Sequence, residues 1–345
     1  MEMSKKIIFL INIIGLIFMN YISVSATEPL PKSLNIGTHP VGTLANVLGT
    51  AIATVCSKYT SIPIKVKAVA GPTTWMPMIV TKEVQLGVLT SADAYPAYLG
   101  IETYEKLSDG QGFPIRLLFA GPIFSLGTIV SGDSPIKIIP ELKGKRVCGG
   151  YANVPSAAIA QEAALANGGL TWRDVKVVPV PDPGASVKLV MEGRADAGWA
   201  SVGMPVVREL ATKRGARFLP IDISPTAIMR KDKIHPYSFP YLIKGGTTPG
   251  VDVDTWLMGV EYYVICYSDL PESVIYEINK AIWDHFDELN TFHPTLFKGW
   301  ERKDFASRKL FTPYHPGSIK FMKEKGIWNE KLETQHQELL ALKKK

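Results

Sequence analysis

Residues 34 to 93 and residues 146 to 203 follow one plan: strand, loop, helix, strand, loop, helix, strand, loop. In the first stretch the loops are Thr38 to Thr43, Ala70 to Trp75 and Thr90 to Asp93; in the second they are Gly150 to Ser156, Pro181 to Ser186 and Ala200 to Gly203. The third strand of each carries a glycine, Gly87 or Gly198, with a hydroxyl shortly after it, Ser91 or Ser201. Residue identity between the stretches is low, so the repetition is one of pattern. Alternating apolar β-rich runs and helical patterns argue for α/β architecture with largely parallel sheets. All six loops then fall at the carboxyl ends of parallel strands, where open α/β sheets bind ligands.

Two such edges facing each other make a cleft. The apolar run Ile115 to Ser131, broken by Gly121 and Pro122, crosses from one half to the other, and the run Trp256 to Tyr267 crosses back. Two crossings make a hinge about which lobes can close on a small solute. At 345 residues the chain exceeds what one core usually serves. The expected division is a first lobe of residues 27–121 and 256–345 and a second lobe of residues 122–255. A helix from Pro271 to Leu289, with Val274, Ile275, Ile278, Ile282 and Phe286 on one face, covers the first lobe, and helices near Pro316 to Lys325 and Glu330 to Leu342 pack beside it.

The first 26 residues read as a secretory signal peptide: Lys5 and Lys6, an apolar run from Ile7 to Met19 interrupted by Asn12, and a small-residue end at Ala26. A periplasmic location follows. Retention as an anchor is the alternative. Removing this leader takes Lys5, Lys6 and Glu2 from totals of 38 basic and 32 acidic residues, and the last three residues are lysines. The basic excess is therefore small, scattered and partly a tail, which excludes a nucleic-acid face. Cys56, Cys148 and Cys266 lack metal-ligand spacing and read as core thiols, with one disulfide left open by an oxidising compartment.

No catalytic constellation is assembled by the six histidines, and GxSxG is absent. His39, in the first loop, and Asp93 could be drawn as an acid–base pair, but a single ligand-contacting histidine is the simpler reading. Asp93 and Asp182 read as helix caps or turn residues. The loops are rich in neutral donors: Thr38, Thr43, Thr73, Thr74, Ser91, Tyr151, Asn153, Ser156 and Ser201. Such donors, with helix N-terminal N–H groups, hold a carboxylate without a desolvated counter-charge. Trp75 and Trp199 could sandwich a solute, or pack in cores.

The stretches LNIGTHPVGTLANVLG, QLGVLTSADAYPAY, SPIKIIPELKGKRVCGG, GRADAGWASVGMPVVREL, DLPESVIYEINKAIWDHFDEL and PYHPGSIKFMKEKG resemble the TAXI-type solute receptors of TRAP transporters across nearly the whole mature chain. The resemblance implies a two-lobed, type II periplasmic binding fold, no enzyme activity and no cofactor or metal. It implies a small organic anion as ligand, a carboxylate or amino-acid-like compound, and delivery to a membrane-embedded TRAP permease, with monomer as the default state. By position, the ligand loops fall on Gly37 to Thr43, Gly71 to Trp75, Ser91 to Asp93, Tyr151 to Ser156 and Trp199 to Ser201. The family usually has more glycine in the first loop, a Gly-Gly-Ser-like second loop and a Gly-Ser-Gly-Thr second-lobe loop. Here His39, Pro72, Trp75, Tyr151 and Pro155 intervene, which implies a solute of different shape or with an aromatic part. An enzyme using His39 and Asp93, and a ligand sensor or secreted antigen without transport, are the rival readings.

Overall fold

Proline at the start of helices sets much of the local structure, because a first-turn residue has no intrahelical N–H bond to lose and its fixed φ is already helical. A computed structural model of the chain describes residues 31–152, 154–293 and 296–343; the signal-peptide segment and Asn153 lie outside the described residues. In chain order the elements are β1 (Leu34–Thr38), α1 (Leu44–Tyr59), β2 (Ile64–Ala68), α2 (Pro72–Val80), β3 (Leu86–Thr90), α3 (Ser91–Leu99) and β4 (Ile115–Ser131). There follow β5 (Arg146–Gly150), α4 (Pro155–Asn167), β6 (Lys176–Val180), α5 (Pro183–Met191), β7 (Gly198–Ser201), α6 (Pro205–Arg214), β8 (Ala216–Phe218), α7 (Pro225–Asp232) and β9 (Phe239–Ile243). The chain closes with β10 (Thr255–Tyr267), α8 (Glu272–Asp284), α9 (Pro316–Glu324) and α10 (Glu330–Leu342). Several expected loops are shorter than their sequence suggests. Thr73, Thr74 and Trp75 already belong to α2, Ser91 and Asp93 to α3, and Ser156 to α4.

The fold is α/β. The main sheet runs β2-β1-β3-β10-β4-β7, with β8 also on β4 and β9 also on β10. Pairs β1–β2 and β1–β3 are parallel, as βαβ units require, and β5–β6 form a parallel pair of their own, joined to the approach of β7 by a bridge between Val147 and Ala197. The long strands β4 and β10 run antiparallel to each other from Ile115↔Tyr267 to Leu126↔Met258. Their ladder skips between Ala120↔Tyr263 and Ile123↔Glu261. Pro122 lies in that gap, where its missing N–H costs the ladder nothing.

Two separate buried clusters sit on either side of this break. One draws on residues from Leu34 to Ala120 and from Tyr262 to Leu339, together with Tyr237. The other draws on residues from Ile129 to Met258. The apolar face of α8 enters the first cluster through Val274, Ile275, Ile278 and Ile282. Cys56, Cys148 and Cys266 are all buried free thiols, and burial pushes each one up, Cys148 to about 12. Among the described residues no helix is long and apolar enough to cross a membrane.

Candidate functional site

A cavity of about 500 Å³ opens between the two cores, inside the range of small-molecule sites. Helix starts from both halves converge on it: Thr43 and Leu44 of α1, Ala92 and Asp93 of α3, Ser156 and Ala157 of α4, Pro183 and Gly184 of α5, and Met204 and Pro205 of α6. Each start brings the positive end of a helix dipole to the cavity, although Pro155, Pro183 and Pro205 contribute no N–H of their own and the side chains of Thr43 and Asp182 each take one first-turn N–H of α1 and α5. Between them one stretch of the wall is apolar. Phe124 and Leu126 on β4, Val260 and Tyr262 on β10, and Trp199 on β7 supply it. Phe124 pairs with Val260 across the strands, and its ring lies 5.3 Å from that of Tyr262. Among the described lining residues none is Lys or Arg. A neighbouring groove of about 540 Å³ shares Gly203, Pro205 and His293 with the cavity and carries Arg208 and Lys213.

The first loop is held by its own donors. Thr43 caps α1, accepting from Asn46 N at 3.2 Å and donating to Pro40 O at 2.8 Å. Thr38 is buried below it, donating to His39 O at 3.0 Å and accepting from Asn46 Nδ2 at 3.0 Å. These bonds leave the half-buried His39 ring at the cavity wall, against Gly71. Asp93 also faces the cavity, but its oxygens already accept from Thr90 Oγ1 at 3.0 Å and Tyr104 Oη at 3.1 Å. Burial lowers the His39 ring against the opposing pull of the Asp93 charge, and burial raises the Asp93 carboxyl against that of His39. Each is thus held toward its neutral form. Asp182 caps α5, accepting from Ala185 N at 2.9 Å.

His39, Thr43, Asp93, Ser156, Trp199 and Ser201 are thereby brought to one cavity. Ser201 is 7% exposed, and its hydroxyl has no protein partner among the described residues. The remaining sequence candidates lie elsewhere. Gly37 and Trp75 pack on each other inside the first core. Gly71 backs His39. Thr73 and Thr74 are exposed on α2. Ser91 is buried and donates to Tyr237 O at 3.3 Å. Tyr151, with Gly150 before it, has a positive φ (43° and 87°), a turn that drives its ring into the second core. There its hydroxyl meets Gln161 Oε1 at 2.5 Å.

A match to the NMT1-like family spans residues 36–326, most of the chain. The chain belongs to the NMT1-like family. The fold of this NMT1-like chain is similar to that of a TctC solute binding protein from Polaromonas, at 13% identity and TM-score 0.52, covering 90% of this chain and 97% of the other. Two further solved structures align over most of their length. The periplasmic aliphatic sulphonate binding protein SsuA from Escherichia coli is 14% identical, with TM-score 0.47 and coverage of 90% and 92%. PhnD1 from Prochlorococcus marinus, in complex with methylphosphonate, is 15% identical, with TM-score 0.48 and coverage of 87% and 100%.

Several lining residues of the NMT1-like chain escape a loop-by-loop reading of its sequence. Phe124, Leu126, Val260 and Tyr262 come from the crossing strands, where a period of two puts alternate residues on one face. His235 stands between α7 and β9, outside every repeated loop, and still lines the cavity. Among the described residues no cluster of His, Cys, Asp and Glu has the arrangement of a metal site.

Proposed function

We propose that this chain is an extracytoplasmic receptor of the TAXI type, which captures a small organic anion in the cavity and delivers it to a TRAP-type permease. The observation that carries the reading is the convergence of helix N-termini from both halves on one cavity that also carries an apolar and aromatic stretch of wall from Phe124, Leu126, Trp199, Val260 and Tyr262. A carboxylate is held by N–H groups and hydroxyls, while Phe124, Trp199 and Tyr262 take an apolar or aromatic body. Burial disfavours the charged form of Asp93, which reduces its repulsion of an anion. The reading places one lobe boundary at 121/122, within the break in the β4–β10 ladder, and the other at 255/256, at the start of β10. It assigns a periplasmic location, a single copy of the chain and no catalytic group.

Titration with a panel of monocarboxylates and amino acids, followed by tryptophan emission and melting temperature, tests it. A saturable emission change with a raised melting temperature is expected for at least one member. Silence in both measurements across the panel sinks the receptor reading. His39→Gln should shift affinity only; loss of a chemical product on that substitution would favour an enzyme.

A further inference from the structure

His235 is 4% exposed, lines the cavity, and belongs to no loop of the repeated plan. Its Nδ1 lies 3.0 Å from Ser238 Oγ, and Nε2 has no protein partner among the described residues. The ring therefore offers the cavity its Nε2 edge. Which atom carries the proton is decided behind it. Lys231, fully buried, donates to Ser238 Oγ at 3.0 Å and Ser238 O at 2.9 Å, and pairs with Asp232. With the ammonium bonded to the serine oxygen, the serine proton has two acceptors: His235 Nδ1 at 3.0 Å and His235 O at 3.4 Å. The shorter and stronger bond goes to Nδ1, and donation from a cation into the hydroxyl strengthens it further. The proton of the neutral ring then sits on Nε2.

We propose that His235 Nε2–H is a solute-contacting donor, fixed by the chain Lys231 to Ser238 to His235, and that it takes one carboxylate oxygen of the ligand. The inference rests on the receptor reading and names the group that recognises its anion. The Lys231 donor polarises this chain from behind, although none of the described residues lining the cavity is Lys or Arg. Burial, then the Lys231 ammonium, hold the ring down to about 4, so the neutral donor persists through the physiological range. The same segment grips the first core, since Tyr237 O accepts from Ser91 Oγ at 3.3 Å and Tyr237 Oη donates to Glu102 Oε1 at 3.0 Å. Solute bound at His235 thus also bears on the contact between the halves.

The test uses the full chain labelled with ¹⁵N-histidine and long-range ¹H–¹⁵N spectra, with His235→Asn to assign the signal. The expected result is a neutral Nε2–H tautomer from pH 8 to pH 5. Sodium acetate as the probe should shift the His235 signals saturably, and sodium chloride at equal ionic strength should not. Ser238→Ala should abolish the fixed tautomer and weaken the acetate response several-fold. An Nδ1–H tautomer, a protonated ring at pH 6, or no acetate-dependent shift in the wild-type chain overturns the inference without needing the variant. A silent His235 with a responding carboxylate panel removes this assignment and leaves the receptor reading. An acetate shift at His235 with a silent panel does the reverse.

Discussion

The two halves share a plan but differ at the fourth residue of the helix after their second strand, Trp75 in α2 and Ser186 in α5. The Trp75 indole lies across β1 and β3 so closely that a Cβ at Gly37 would come within 2.7 Å of it and one at Gly87 within 2.2 Å. In the second half Ser186 occupies that place over Gly198, accepting from Trp199 N at 3.0 Å, with Pro183 O at 2.7 Å and Trp199 O at 2.9 Å as acceptors for its own proton. The large ring there sits on the strand and lines the cavity. The first half therefore spends its tryptophan wholly on a core, and the second sets its own between the core and the cavity wall. Equivalent positions in a repeat need not have equivalent duties.

Trp75→Ala should be the most damaging test of this contrast, costing about 3–5 kcal/mol by removing a fully buried indole between two strands. Urea unfolding measures it, and a small loss with altered solute affinity would place Trp75 at the site instead. Glu261, at the break between the halves, comes next. It accepts from Arg308 N at 2.9 Å and Ser307 Oγ, and burial raises it from 4.5 to about 7. Between those values the folded chain keeps a proton that the unfolded chain releases. Stability should therefore fall as pH rises across that window, by on the order of 3 kcal/mol, and level off above it. Unfolding free energies across pH 4–8 should lose this slope in Glu261→Gln.

Ser186→Ala should cost about 1–3 kcal/mol, since it strips the buried backbone N–H of Trp199 of its acceptor. It should also disturb the emission response, whereas Trp75→Phe should leave that response in place. The smallest effect expected is at the matched caps: Thr43→Ala and Asp182→Ala should each lower stability by ~1 kcal/mol in thermal melts. Equal losses would mark the caps as a shared feature of the two halves. A much larger loss at either would single out that helix start.

Much of the fold was open to sequence reasoning because its signals are local: β-rich runs, glycines on the third strands, and apolar periodicity along helices. Proline explains the shortfall at the loops, since Pro72 and Pro155 start helices that absorb residues expected to stay in loops. The site was less legible. A threonine or tryptophan in a loop after a strand can point into a cleft or a core, and only packing decides, as Trp75 and Tyr151 demonstrate. Phe124 and Tyr262 carried a usable signal in the alternation along their strands. His235 carried none, because its chemistry comes from Lys231 and Ser238 only once the turn between α7 and β9 has formed.

The three buried thiols bear on the order of events in the life of this chain. Once folded, each sulfur is shielded and held in its unreactive protonated form. That shelter belongs to the fold and not to the sequence. In an oxidising compartment the unfolded chain would expose three competent thiols to any oxidase, and a wrong crosslink between the halves would trap them apart. There folding would have to outrun oxidation, and the rate of collapse would count for this molecule beside its final stability.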